Sequence, residues 1–151
     1  MIYSRIKYGI SLYGQAGTSK LKRIQTLQNC LLKVLTKKSY HFSTDKLHNS
    51  LDLLKVEDIA VQEVVTFVHN YFSNSLPPVF AGYFGTLFSQ HGINTRNRTY
   101  LLMIDGHETD IAASSTKILG AKLWNKLDNS LKNIPNVKTF RVKFKRHILQ
   151  Y

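Results

Sequence analysis

The stretch from Ser19 to Lys38, SKLKRIQTLQNCLLKVLTKK, most narrows what this chain can fold into. Leu21, Ile24, Leu27, Leu31, Val34 and Leu35 recur mostly at steps of three or four, the period of one helical face. Lys22, Thr26, Asn29, Lys33 and Lys37 keep the same period on another side, and no acid interrupts them. The spacing predicts a helix of about five turns with a buried leucine edge and an exposed basic edge. Such a helix needs partners for its apolar side, so the rest of the chain is expected to supply a core.

The composition allows one. A chain of 151 residues with 43% hydrophobic residues is long and apolar enough to fold as one domain, or one domain with a small appendage. The formal charge of +12 is unevenly placed: residues 1–44 hold eight Lys or Arg and no acid, and residues 129–151 hold six and none. If the two ends meet in space they form one positive surface suited to a polyanion. The acid-free start also has the composition of a mitochondrial transit peptide. Ile2, Ile6, Ile10 and Tyr13 instead favour packing, and an intracellular location in nucleus or cytoplasm is the expectation. No apolar run approaches the length of a membrane span. The one cysteine, Cys30, excludes an internal disulfide and a multi-cysteine zinc site, and is expected to be a small buried hydrophobe.

Residues 1–13 read as a first helix closed by Gly14, and Ser43 or Thr44 can cap a short helix carrying Leu47 and Leu51. From Val56 to Phe72 the apolar positions Ile59, Ala60, Val64, Phe67, Val68 and Tyr71 predict a buried core helix, with Glu57 and Asp58 in its first turn. Leu76-Pro77-Pro78 stops it, and Val79 to Phe84 can add a helical turn. Residues 85–118 are irregular, with one or two short strands expected, including Tyr100 to Ile104. A short helix over Gly120 to Leu127 follows, then a last helix capped by Asn136. That helix sets Val137, Phe140, Phe144, Ile148 and Tyr151 on one stripe and Lys138, Arg141 and Lys145 on another. The fold class is mainly α, a helical bundle with an irregular segment.

Several local strings resemble a known family. They are Tyr8-Gly9-Ile10 with Tyr13-Gly14, Leu27-Gln28-Asn29, Leu76-Pro77-Pro78, and His91-Gly92-Ile93-Asn94-Thr95-Arg96. After these come Gly120-x-Lys122-Leu123-Trp124-Asn125-x-Leu127, and Phe140 with Lys143 and Lys145. Together they resemble the C-terminal region of reverse transcriptases from non-LTR retrotransposons of the jockey type, over nearly the whole chain. Tyr13 stands where the family often has Trp, and Asp128 where Pro is common. The resemblance implies a thumb-like helical bundle over 1–75 and a C-terminal extension over 76–151. It implies RNA template, DNA primer and an upstream palm domain as partners. The family's catalytic aspartate pair, which holds divalent metal, lies upstream, and this chain has no Asp-Asp pair. A noncatalytic role without a cofactor of its own follows.

Candidate chemistry is sparse otherwise. Asp105, Glu108 and Asp110 form the densest acidic cluster, but without EF-hand or zinc spacing they read as a solvated loop. The histidines show no ligand spacing, and nothing indicates a Ser/His/Asp triad. Lys22 and Lys33, about 16 Å apart along an ideal helix, can reach more than one phosphate. Lys37, Lys138, Arg141 and Lys145 extend that set. Arg96 and Arg98 suit phosphate contact or, equally, a salt bridge to the acids at 105–110. Trp124, flanked by Leu123 and Leu127, reads as core rather than as a base-stacking platform. The alternative function is a structural module that docks on an absent palm through an apolar surface around Ile2, Ile6 and Ile10, without nucleic-acid binding of its own.

Overall fold

The computed structural model describes residues 2–15, 17–86, 101–104, 106 and 109–150. Arg96, Arg98, Asp105, Glu108 and the string His91 to Arg96 lie outside the described residues. The fold is mainly α. Two compact units divide it, Met1–Ala60 with Lys145–Tyr151, and Val61–Phe144, a division elsewhere than the expected boundary at residue 75.

In the first unit, the single helix expected over residues 1–13 is two, α1 (Ile2–Lys7) and α2 (Ile10–Tyr13). Gly9 separates them at φ 70°, a left-handed conformation open to a residue without Cβ. The Tyr13 hydroxyl donates to the carbonyl of Ile6, satisfying an orphan acceptor at the end of α1. Gly14 then lets the chain pass close to α5 (Val56–Phe72): a Cβ there would stand 2.4 Å from the Ile10 carbonyl oxygen and 2.7 Å from Ala60 Cβ. Ile10 is wholly buried with Leu54, Val56 and Ile59, and Ile6 packs against this core. Of the apolar patch that the docking alternative expected, Ile10 is therefore closed to a partner, while Ile6 is only partly covered.

α3 (Thr18–Leu35) forms where the organising stretch predicts, but it buries a different face. Leu21, Gln28 and Leu32 are buried, while Leu27, Leu31, Val34 and Leu35 are 65%, 39%, 68% and 69% exposed. Of the leucine edge expected to be buried, Leu21 is buried and Ile24 half-buried, while Leu27, Leu31, Val34 and Leu35 are corrected to exposed positions. Gln28 can occupy the interior because its amide donates to the Leu54 carbonyl at 3.0 Å. Cys30, expected inside, is exposed.

Three helices of the chain end alike. After α3, Lys38 N–H bonds the Lys33 carbonyl and Lys37 N–H that of Val34; after α4 (Thr44–Ser50), Leu53 bonds His48 and Asp52 bonds Asn49. After α5, Ser75 bonds Asn70 and Asn74 bonds Tyr71. Each is a Schellman closure, yet the left-handed positions are Lys37, Asp52 and Asn74, at φ 51°, 51° and 49°, rather than glycine.

In the second unit the later part of α5 carries the core, as its pattern predicts: Val64, Val65 and Val68 are buried. α6 (Asp110–Ala113) leads to α7 (Thr116–Lys126), which the Ser115 hydroxyl caps by accepting from the Ile118 N–H. Gly120 lets α7 approach α5 so closely that a Cβ would meet Val68 Cγ2 at 3.0 Å. Trp124 is core, 1% exposed and stacked on Phe72 with ring centroids 5.2 Å apart. Asn125 accepts the Leu102 N–H at 2.9 Å and donates to its carbonyl at 2.8 Å, occupying ladder groups of the expected strand. Among the described residues that segment makes one isolated bridge, Thr86 with Leu102, and no strand. The turn expected after Leu76-Pro77-Pro78 is a 3-10 turn, Pro78–Phe80. α8 (Asn129–Lys132) and α9 (Val137–Gln150) complete the chain, and Asn136 caps α9 through the N–H groups of Lys138 and Thr139 at 2.9 and 3.3 Å.

Candidate nucleic-acid interface

The polar edge of α3 and the loop after it enclose a groove of about 520 Å³ in the first unit. Thr26, Asn29, Cys30, Lys33 and Val34 line it from the helix, and Lys37, Lys38, Tyr40 and Thr44 from the closure and loop. The helical period carries Lys22, Thr26 and Lys33 along one edge, where Thr26 spends its hydroxyl proton on the Lys22 carbonyl at 2.9 Å. Lys22 and Lys37 are exposed and Lys33 half-buried.

Lys33 donates to the Tyr40 carbonyl and lies 5.0 Å from the Tyr40 ring centroid. An ammonium has three donors, so two stay available to a ligand. The Tyr40 ring is 83% exposed and can accept a stacked base. Lys38 lies 5.3 Å from the Phe42 ring centroid. Lys38 and Tyr40 were not singled out from sequence, although the run Lys37-Lys38-Ser39-Tyr40-His41-Phe42 carries the signal, bases interleaved with aromatics.

A buried polar chain fixes the back of the groove. Gln25 Oε1 accepts the N–H of Val56, an orphan donor at the start of α5, at 2.7 Å. Because that bond orients the amide, Gln25 Nε2 donates to Asn29 Oδ1 at 2.8 Å. Asn29 Oδ1 also lies 3.0 Å from His48 Nε2, and His48 Nδ1 lies 3.1 Å from the Leu53 carbonyl. These contacts tie α3 to α4 and to the start of α5, so the wall holding Asn29 and Lys33 is rigid.

The electrostatics favour anions. The first unit holds twelve Lys or Arg against four acids, a net of +8. Asp45 is occupied by Lys55 at 2.8 Å, and that hydrogen bond holds its carboxyl below the ordinary range while raising the Lys55 ammonium. Burial raises the neighbouring Asp58 carboxyl.

The last helix places its bases differently from the first. Arg141 pairs with Glu63 at 2.8 Å and Lys145 with Asp52 at 2.7 Å, so two of the three stripe residues hold α9 in place. Lys138 is exposed in the first turn of α9. Lys22, Lys33 and Lys37 fall in the first unit with Lys145, while Lys138 and Arg141 fall in the second. Among the described residues no cluster of His, Cys, Asp or Glu suits a metal ion, and no helix is long and apolar enough to cross a membrane.

What fold and site define is a mainly α-helical protein with a basic, tyrosine-bearing surface groove. No protein-family model matches the chain, and no curated protein and no solved structure matches it.

Proposed function

We propose that this chain is a noncatalytic nucleic-acid-binding element. In this reading it corresponds to the thumb and C-terminal extension of a non-LTR retrotransposon reverse transcriptase and helps hold RNA template and DNA primer. An upstream palm domain supplies the metal-binding aspartates, and the complex works inside the cell, in nucleus or cytoplasm. The observation that carries the reading is the groove itself: Lys33, Lys37 and Lys38 with an exposed Tyr40, in a unit of net charge +8. Phosphates take the lysines and an unpaired base takes the ring. Recognition of this kind is independent of sequence, because its contacts go to phosphates and to the face of a base rather than to a base edge. Arg96, Arg98 and Lys138 belong to the same proposal as further phosphate contacts.

The test is binding to an RNA/DNA hybrid by fluorescence anisotropy between about 50 and 200 mM salt. The affinity should fall steeply with salt. Changing Lys33, Lys37 and Lys38 together to Gln should flatten the logarithmic slope by about 2 to 3, near 0.9 per lost contact. A flat dependence in the unaltered protein refutes the mechanism.

A second reading, a docking module without nucleic-acid binding of its own, draws support from the exposure of Leu27, Leu31, Val34 and Leu35.

A further inference from the structure

α3 has three faces where an ordinary surface helix has two. One is buried, through Leu21, Gln28 and Leu32. The second is the polar edge through Lys22, Thr26 and Lys33. The third runs through Ile24, Leu27, Leu31 and Val34, spaced by three and four and open to solvent beyond Ile24. At its N-terminal end this stripe enters a second groove, about 530 Å³, whose walls are Ile6 and Tyr13 on one side and Leu21 and Ile24 on the other. Arg5 and Lys20 stand on the rim. From Ile24 to Leu35 the apolar surface extends about 16 Å along the helix, three turns of a partner helix.

We infer that this groove and stripe dock an amphipathic helix bearing acidic residues beside its apolar face. Leucines at i, i+3 or i+4, and i+7 on the incoming helix match the period of the stripe and leave its first anchor for the concave groove. The charge selects the sign of the partner. At the groove stand Lys20 and Arg5, Arg23 lies one turn before Leu27, and α3 holds no acid. A second copy of the chain would bring +8 against +8, so like charges oppose self-association. Nucleic acid gains nothing from leucine, and a flat bilayer leaves the groove unfilled. Apart from Val34, which also lines the basic groove, this surface lies on a different face of α3 from Lys22 and Lys33, so the two kinds of ligand are separable by mutation at Leu27 and Leu31.

The experiment uses the full chain and a labelled helical peptide of about 20 residues, with Leu at the stated spacing and Glu on both flanks. A copy with Lys in place of Glu is the control. The acidic peptide should bind saturably, and the Lys peptide at least tenfold more weakly. The double variant Leu27→Gln, Leu31→Gln keeps helix-forming residues and replaces one well-exposed and one partly covered leucine, so the variant should still melt cooperatively, with at most a small drop in melting temperature. Its affinity for the acidic peptide should drop at least tenfold while hybrid binding is unchanged. Equal binding by parent and variant overturns the proposal. So does failure of the peptide to bind when anionic vesicles bind through the same leucines, and so does a concentration-dependent dimer that the double variant abolishes.

Discussion

In the proposed interface, Lys37 connects folding and binding in opposite directions. It sits at φ 51°, in the left-handed region, because the end of α3 closes through Lys37 N–H to Val34 and Lys38 N–H to Lys33. A residue with a Cβ pays about 1–2 kcal/mol there, and glycine gives back about 0.5–1 kcal/mol of that through its larger unfolded freedom. Lys37→Gly should therefore exceed Lys37→Ala in stability by about 0.5–1 kcal/mol. For a domain of this size that is a difference of about 1–4 °C in melting temperature. Loss of the ammonium at the helix end is common to both variants and cancels in the comparison. Both should lose one phosphate contact, lowering the salt slope of hybrid binding by about 0.9. Thermal denaturation followed by circular dichroism, beside anisotropy titrations at several salt concentrations, reads both quantities. Equal melting temperatures for the Gly and Ala variants would refute the closure geometry. An unchanged salt slope would remove Lys37 from the interface.

Two further outcomes follow from packing and burial. Gly14→Ala forces a methyl group to within 2.4 Å of the Ile10 carbonyl and 2.7 Å of Ala60 Cβ, and should cost about 1–3 kcal/mol in urea unfolding. Lys132 is buried, 8% exposed, and desolvation lowers its pKa from the ordinary 10.5. The unfolded chain then binds the proton more tightly than the folded one, so this group's contribution to stability rises as pH climbs toward 10.5. Lys132→Met should be more stable than the parent at neutral pH, with the gap narrowing as pH approaches that value. A gap that does not change with pH would show that packing alone accounts for it.

Periodicity identified α5 as a core helix, and Ile59, Ala60, Val64 and Val68 are buried as expected, but Gln62, Val65, Thr66 and His69 on its other sides are buried too, while Phe67 and Tyr71 are only half-buried. The Asn136 cap and the burial of Trp124 were legible because local chemistry and bulk admit few alternatives. α3 was legible as a helix but not in orientation. Its apolar residues spread over more than one stripe, and covering one of them depended on a hydrogen bond from Gln28 to Leu54, twenty-six positions away. The groove was half legible. Thr26, Asn29 and Lys33 follow from the period of the helix, whereas Lys37, Lys38, Tyr40 and Thr44 join them because the chain turns back at Lys37. The break at Gly9 was visible as a glycine, but its left-handed conformation follows from the packing of Ile10.

The bases at the two ends of the chain do different work, and the scarcity of acids explains why. α9 must lie against the protein through Phe140 and Phe144, which brings Arg141 and Lys145 down to the surface with it. Glu63 and Asp52 meet them there, and these pairs return the field of α9 partly to neutrality. Asp52 can reach Lys145 from the left-handed corner that ends α4, so a strained backbone position also supplies an ion pair. The Lys145–Asp52 pair, whose carboxylate side chain is 69% exposed, contributes little to stability, about 0–1 kcal/mol, while the Glu63 side chain of the other pair is only 15% exposed. Their larger effect is on where attraction is left over. With Asp52 engaged at α9 and Asp45 at Lys55, few carboxylates remain near the α3 edge and the loop to Tyr40. Lys33, Lys37 and Lys38 thus line the groove with neither of these two carboxylates committed to them, and in the proposed interface that edge is where a phosphate backbone would be drawn.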